Sequence, residues 1–348
     1  MEGSSTLTHQ QKAVMRGVVL GVVAGLCLGA LAVAVFYEAP LATPTSSASA
    51  PAQSGASPTI TPHSLAASDC AVTSPAVGGP VVDSPAVTGK YAGFSIRIEA
   101  EGTTLSEDLE LEIAEGATYA YAQWREWLGE KALRPSQINI RFLGDAQRFR
   151  EIYGKPNREE WTTTGFYRMR SNEALILYTP AFRSSALGNA FHEISHLITA
   201  RHLGATPPWL NEGLAELYET LHIVDGAVSF SENKQHLALL KLRGPVSMEA
   251  LTQLSRETWM LKDAERRYAS AWALIAFLMD TDLGKQTLRS TILEAYSGRC
   301  GTRSDFRDTL SRYPGGSSAL QSDWLNWLNI RYSALNKLSG GITADSAL

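Results

Sequence analysis

The chain has 348 residues, of which 44% are hydrophobic, so it is long enough for two average domains or one large one. Its 31 basic and 35 acidic residues give a net charge of −4, which argues against a role in nucleic-acid binding. The three cysteines, Cys27, Cys70 and Cys300, are too few for a disulfide scaffold or a four-cysteine zinc site.

The first predicted element is a membrane-spanning helix over residues 17–37, a stretch of 21 residues without a charge. About 20 apolar residues are enough to span a bilayer. Lys12 and Arg16 precede this stretch and the next basic residue is Lys90, so the positive-inside rule places residues 1–16 in the cytoplasm. A cleaved signal peptide is the alternative, but the apolar run is longer than a usual signal core, which favours an uncleaved anchor.

Residues 38–90 are predicted to form a disordered linker that holds the rest of the chain away from the membrane. This segment contains eight of the fifteen prolines together with many Ser, Thr and Ala residues, and it has no apolar periodicity. Cys70 lies in the linker and could pair with Cys300 outside the cytoplasm, although spacing alone does not decide this. Residues 338–348 are predicted to be a flexible tail.

Residues 91–337 carry the periodic patterns of a folded domain. The predicted strands are 94–99, 137–143, 165–169 and 174–178, and the predicted helices are 106–128, 145–153 and most of the chain after residue 180. Strands followed by helices are typical of an α+β fold. We therefore expect a small mixed sheet with helices over 91–183 and a mostly helical part over 184–337.

The pattern His-Glu-x-x-His lies on one of these helices, which Ser184 or Ser185 could cap. His192 and His196 are four residues apart, so both imidazoles leave the same side of the helix. That spacing suits two nitrogen ligands of one zinc ion. Glu193 is placed to take a proton from a water molecule that the metal activates. The pattern therefore predicts a single catalytic zinc site.

A catalytic zinc ion usually has three protein ligands, and two residues are candidates for the third. His202 lies six residues after His196, but Thr199 stands where the corresponding motif needs a glycine, and a continuous helix would turn His202 about 240° away. Alternatively, Gly204 ends the helix and the following prolines begin a second one, which could bring Glu212 back against the histidine pair.

The two helices together resemble the gluzincin metallopeptidases, which include thermolysin and the large zinc aminopeptidases. The motifs are His-Glu-x-x-His and Trp-Leu-Asn-Glu-Gly-Leu-Ala-Glu at 209–216. With the Gly-Phe-Tyr segment at 165–167 and the apolar segment at 174–178, they are most similar to the peptidase MA-like domains of bacterial envelope proteins. The resemblance is strong over 160–220, weaker over most of 91–300, and implies that the helical part is zincin-like. The Gly-x-Met-x-Asn segment of the aminopeptidases is absent from the sequence.

The resemblance implies a role for each residue of the motifs. His192, His196 and Glu212 would be the zinc ligands, and Glu193 would be the general base. Glu216 would accept the free ring N–H of a zinc-bound histidine and so fix its tautomer.

The resemblance also implies a substrate strand and an oxyanion stabiliser. The edge strand that pairs with an extended peptide would be Leu175, Ile176 and Leu177. Tyr268, on a later apolar helix, is the first candidate for steadying the oxyanion, and Tyr167 is the second.

The sequence is therefore interpreted as a single-pass membrane protein whose extracytoplasmic zinc metallopeptidase domain cleaves peptides or proteins. Two alternatives stay open. One is a zinc-stabilised interaction domain of the cell envelope without catalytic activity, and the other is a zinc hydrolase of a non-peptide amide. The sequence predicts neither the cleavage preference nor the oligomeric state.

Overall fold

A computed structural model describes residues 87–91, 93–153, 164–169, 171–224, 226–299 and 306–340. The predicted anchor at 17–37, nearly all of the predicted linker and most of the predicted tail lie outside the described residues, as do Cys70 and Cys300. The last residues of the predicted linker form part of a strand that begins at Val87. Across the described segments, no helix is both long enough and apolar enough to cross a membrane.

The described residues form an α+β fold, as the sequence predicts. The strands are β1 (Val87–Tyr91), β2 (Phe94–Glu101), β3 (Ser136–Leu143), β4 (Gly165–Arg168), β5 (Glu173–Leu177), β6 (Leu221–Val224) and β7 (Ala227–Phe230). The helices of the first half are α1 (Glu107–Leu128), α2 (Ala146–Tyr153), α3 (Arg183–Leu203) and α4 (Pro208–Glu219). The later helices are α5 (Lys234–Arg243), α6 (Met248–Gln253), α7 (Arg256–Trp259), α8 (Ala264–Asp280), α9 (Asp282–Gly298), α10 (Phe306–Ser311) and α11 (Gly316–Gly340).

Five strands form one mixed sheet in the order β1-β2-β3-β5-β4. The three inner strands are parallel to one another, and β1 and β4 are antiparallel to their neighbours. Side chains alternate between the two faces of a strand, so one face is apolar and packs against α1 and α3. That face carries Ile96, Ile98, Ile138, Ile140, Phe142 and Ile176.

The opposite face of the sheet is divided between an apolar cluster and a row of ion pairs. Residues Leu143, Phe149, Phe166 and Leu175 form the cluster, to which α2 contributes Phe149. Beside it, the buried guanidinium of Arg141 makes ion pairs with carboxylates on the neighbouring strands, those of Glu99, Glu101 and Glu173. These pairs connect three strands on the face that the large core leaves uncovered.

Helix α3 is the central element, with nearly every residue from Ala186 to Leu203 buried. A helix that is apolar on most sides belongs in the interior, between the sheet and the later helices. Gly204 ends it at a positive φ of 67°, and Pro208 begins α4 as its first residue, as the sequence predicts. The short connection returns α4 along α3, so both motif helices share one buried interface.

One local prediction was wrong. Ser184 and Ser185 do not cap α3, because a 3₁₀ turn over Pro180–Phe182 leads directly into the helix and both serines are exposed residues of its first turn. The described chain after Pro180 is mostly helical, as the sequence predicts, but β6 and β7 form an antiparallel hairpin within it. The Asp-Gly pair at 225–226 in the sequence is a turn signal that favours such a hairpin.

Candidate metal centre

Helices α3 and α4 bring two imidazoles and one carboxylate together in the interior. Nε2 of His196 lies 3.5 Å from Oε2 of Glu212, and Nε2 of His192 lies 4.0 Å from the same oxygen. The three side chains are each about 1% exposed, and one ligand atom from each lies within 4.8 Å of the others. This buried group could hold a metal ion.

The donor atoms fit a zinc ion in spacing and in chemistry. Tetrahedral zinc with ligands at about 2.0–2.1 Å separates neighbouring ligand atoms by about 3.3 Å, slightly less than the distances here. Within the described part of the chain, Nε2 of both histidines and Oε2 of Glu212 have no hydrogen-bond partner. Because buried polar atoms without partners cost free energy, three of them converging on one point favour a cation as their partner.

Glu193 lies beside this group and is completely buried. Neither of its carboxylate oxygens has a hydrogen-bond partner among the described residues. Strand β4 passes directly over it, because a Cβ added at Gly165 would lie 3.1 Å from Oε1 of Glu193. The glycine thus leaves the carboxylate room next to the sheet edge.

Oε1 of Glu212, the oxygen directed away from the histidines, contacts Asn211 and Arg256, which the sequence analysis did not assign to the site. Nδ2 of Asn211 donates a 3.2 Å hydrogen bond to Oε1 of Glu212, and Nη1 of Arg256 lies 4.0 Å from the same oxygen. With Oε1 engaged, Oε2 remains directed at the two histidines. No periodicity in the sequence associates Arg256, on the short helix α7, with this carboxylate.

Two further carboxylates of α4 lie behind His192. Nδ1 of His192 is 3.1 Å from Oε2 of Glu219 but 3.8 Å from Oε1 of Glu216. Glu216 instead makes a 2.6 Å hydrogen bond with Nε2 of His236, on α5. The resemblance implies that Glu216 contacts a ligand histidine, but the carboxylate within hydrogen-bond distance of His192 is that of Glu219. Glu219 lies seven residues after Glu212, two helical turns along the same face, which is the signal that could have indicated it.

The carboxylates control the charge of His192, and burial controls that of Glu193. Burial alone would lower the pKa of the His192 imidazole, but the hydrogen bond to Glu219 and the charges of Glu216 and Glu193 raise this pKa to about 9. Burial raises the pKa of Glu193 to about 8, helped by the charge of Glu212 and opposed by His192. A cation at the centre would favour the ionised form of Glu193.

The other two groups of the cluster are shifted by burial as well. Burial lowers the pKa of His196 well below its usual value, and the charges of His192 and Arg256 act in the same direction. Burial raises the pKa of Glu212 to about 7 against the opposing charges of Arg256 and His192. A neutral His196 keeps its lone pair, as a metal ligand requires.

Both tyrosine candidates for the oxyanion are buried and hydrogen-bonded. The hydroxyl of Tyr268 contacts the sulfur of Met260 at 3.6 Å, while that of Tyr167 lies 3.1 Å from Oδ1 of Asn172. Burial raises the pKa of Tyr268 well above its usual range, and the charges of Glu212 and Glu216 contribute to this rise.

The predicted substrate strand is not at an edge of the sheet. Leu175, Ile176 and Leu177 belong to β5, which lies between β3 and β4 and is paired on both sides. The edge strand next to Glu193 is β4. Strand order depends on tertiary pairing, although the apolar run at 174–177 is itself typical of an interior strand.

His202 lies away from the cluster, in the last turn of α3. It is 1% exposed and stacks on the ring of Trp124. Its Nδ1 donates to the carbonyl of Ile198 at 2.9 Å, and its Nε2 accepts the backbone N–H of Arg134 at 3.2 Å. Because both ring nitrogens are engaged, His202 is a buried structural residue and is outside the group that could hold a metal.

Comparison with known proteins adds nothing to this geometry: no protein-family model matches the chain, and no curated protein is detectably similar to it in sequence.

Proposed function

We propose that the chain is a membrane-anchored zinc metallopeptidase of the gluzincin kind. One observation carries the proposal: ligand atoms of His192, His196 and Glu212 converge in the interior without hydrogen-bond partners among the described residues, and the carboxylate oxygens of Glu193 beside them also have none there. Two histidines and one glutamate are the protein ligands of thermolysin-type catalytic zinc. The fourth coordination position of such an ion is left for the water molecule or the substrate.

The chain's own groups supply proton transfer and orientation. Zinc in this centre would polarise the scissile carbonyl and lower the pKa of a water molecule. The Glu193 carboxylate would take the proton of the attacking water and deliver it to the leaving amine. Asn211 and Arg256 would keep the ligand oxygen of Glu212 in place through their hold on its other oxygen. Tyr268 is the proposed stabiliser of the oxyanion.

Strand β4 is the proposed docking site for an extended substrate. In the described residues it pairs with β5 on one side and has no strand on its other side. Main-chain hydrogen bonds from such an edge bind a peptide whatever its side chains are. Because Gly165 lies next to Glu193, a peptide along this strand would run beside the proposed centre.

The anchor and the linker remain part of the proposal. The uncharged stretch at 17–37 would hold the protein in the membrane, and the Pro-rich segment at 38–86, before β1, would place the catalytic domain at some distance outside it. Substrates would then be peptides or proteins near the outer side of that membrane.

The test is cleavage of a peptide library by the purified full chain and by Glu193→Gln prepared in the same way. We expect cleavage by the wild type, a loss of about 10²–10⁴-fold in the variant, and equal zinc content in both. The matched preparation identifies contaminating proteases, which would cleave equally in both samples. Equal rates would contradict the role of Glu193. Zinc without any cleavage of peptides would favour an interaction domain or a hydrolase of another amide.

A further inference from the structure

We propose that Glu219 positions His192 for metal binding, and that His236 holds Glu216 out of this role. This inference rests on the proposed zinc centre and concerns the residues behind it. It departs from the resemblance, which implies Glu216 as the partner of the histidine.

The distances around Nδ1 of His192 distinguish the two carboxylates. Glu219 Oε2 lies at 3.1 Å, within the range of an N–H···O hydrogen bond, and Glu216 Oε1 lies at 3.8 Å, outside it. A proton on Nδ1 that is donated to Glu219 leaves the lone pair on Nε2. That nitrogen is the one that faces His196 and Glu212, so the contact selects the tautomer that the centre needs.

Glu216 has a different partner, and both members of that pair are buried. Its Oε2 lies 2.6 Å from Nε2 of His236, with exposures of 8% and 3% for the two residues. The ring of His236 packs against Trp272 of α8, which fixes its direction. Breaking this hydrogen bond to reach His192 would leave a buried imidazole N–H without a partner, so the pair keeps Glu216 away.

The interface between α3 and α4 leaves room for Glu219 at Gly188. Gly188 lies four residues before His192, on the same face of α3. A Cβ at this position would lie 3.1 Å from the carbonyl oxygen of Glu219 and 3.2 Å from its Cγ. Such contacts are tighter than ordinary packing, so the missing side chain lets the end of α4 approach His192. The glycine and the hydrogen bond are independent observations that indicate the same residue.

The experiment measures zinc affinity of the purified full chain by competition with a chromophoric chelator. Removing the partner of a ligating histidine weakens metal binding by about 10–100-fold, which is the result expected for Glu219→Ala. The isosteric pair Glu219→Gln and Glu216→Gln provides the matched comparison, and the larger loss is expected at Glu219. Gly188→Ala, which alters neither carboxylate, is expected to weaken zinc binding as well.

Thermal unfolding of the metal-free proteins separates positioning from a structural role. Substitution of a residue that only positions His192 lowers the zinc affinity and leaves the unfolding temperature of the metal-free protein close to that of the wild type. If Glu219→Ala does not fold, the two glutamine variants and Gly188→Ala still decide between the carboxylates. Wild-type affinity in Glu219→Ala, or a larger loss in Glu216→Gln than in Glu219→Gln, would overturn the assignment. A wild type that binds no zinc would instead remove the proposed centre, and the inference with it.

Discussion

Oε2 of Glu212 lies 3.5 Å from Nε2 of His196, although fifteen residues separate them along the chain. The turn at Gly204 and the helix start at Pro208 create this proximity by folding α4 back along α3. Neither atom has a hydrogen-bond partner in the described segments. Two buried polar atoms that face each other without hydrogen bonds cost free energy. A cation between them would remove this cost, because it accepts a lone pair from each atom.

Metal removal is expected to destabilise the protein. An ion that binds only the folded state raises the free energy of unfolding, so a chelator should lower the unfolding temperature of the zinc-loaded wild type. Glu212→Gln should unfold at the same temperature with and without chelator, because it lacks the third ligand. The measurement is thermal unfolding monitored by circular dichroism, with zinc analysis of each sample. An unchanged unfolding temperature after complete zinc removal would contradict this prediction.

The stability of the fold should fall below about pH 6.5 because of His202. Burial lowers the pKa of this imidazole to about 4, whereas an unfolded chain has the ordinary value of about 6.5. A folded-state pKa below the unfolded one means that the unfolded state binds the proton first. The contribution of the neutral His202 to the free energy of unfolding is therefore fully present above pH 6.5. It is lost as the pH falls towards 4, and the total loss is about 3 kcal/mol.

The check on His202 is urea unfolding between pH 4 and 7. His202→Gln keeps an acceptor for the backbone N–H of Arg134 but does not titrate, so its stability should fall less steeply with acidification. The matched control is His222→Gln, the same substitution at an exposed histidine. Parallel pH profiles for the wild type and His202→Gln would exclude this explanation.

Arg141→Ala is expected to be strongly destabilising. Arg141 is 5% exposed, and its guanidinium lies among the carboxylates of Glu99, Glu101 and Glu173. Removing one partner of a buried ion pair typically costs about 3–5 kcal/mol, and the arginines that would still pair with these carboxylates, Arg97, Arg148 and Arg168, are 39–48% exposed. Arg148→Ala is the comparison, because Arg148 also pairs with Glu101 but is half exposed, and its loss should cost less than about 1 kcal/mol. Equal free energies of unfolding for the two variants would refute the ranking.

Gly213→Ala should disturb the position of α4. A Cβ there would lie 2.7 Å from Cγ1 of Ile275 and 2.8 Å from the carbonyl oxygen of Ala271, both on α8. Forcing an atom into such a contact usually costs about 1–3 kcal/mol. Because Glu212 is the adjacent residue, we expect weaker zinc binding together with the lower free energy of unfolding. A variant that keeps both wild-type stability and wild-type zinc affinity would show that α4 tolerates the displacement.

The local part of the site could be predicted from the sequence, because it depends on short-range rules. Helical periodicity placed His192 and His196 on one face, and Gly204 with Pro208 marked the turn that returns Glu212. The partners behind the ligands depend on other elements and on side-chain directions, which periodicity does not determine. Glu216 and Glu219 both face α3, and the choice between them depends on His236, twenty residues from Glu216.

The sheet illustrates the same limit. Four of the five strands of the large sheet were predicted from alternation and apolar runs, whereas β1 lies mostly in the predicted linker. The order of the strands was not predicted, because pairing brings β5 between β3 and β4. The prediction that Leu175–Leu177 forms an edge was therefore wrong, although the strand itself was correct. His202 could be separated from the ligands by helix geometry alone, whereas its burial against Trp124 depends on how α1 packs on α3.

The most direct test of the metal centre is the zinc content of the purified full chain, measured beside Glu212→Gln and His202→Gln. We expect about one zinc ion per chain in the wild type and in His202→Gln, and loss of tightly bound zinc in Glu212→Gln. Loss of zinc in His202→Gln with retention in Glu212→Gln would contradict the assignment of the third ligand. A folded wild type without zinc would contradict the metal centre itself.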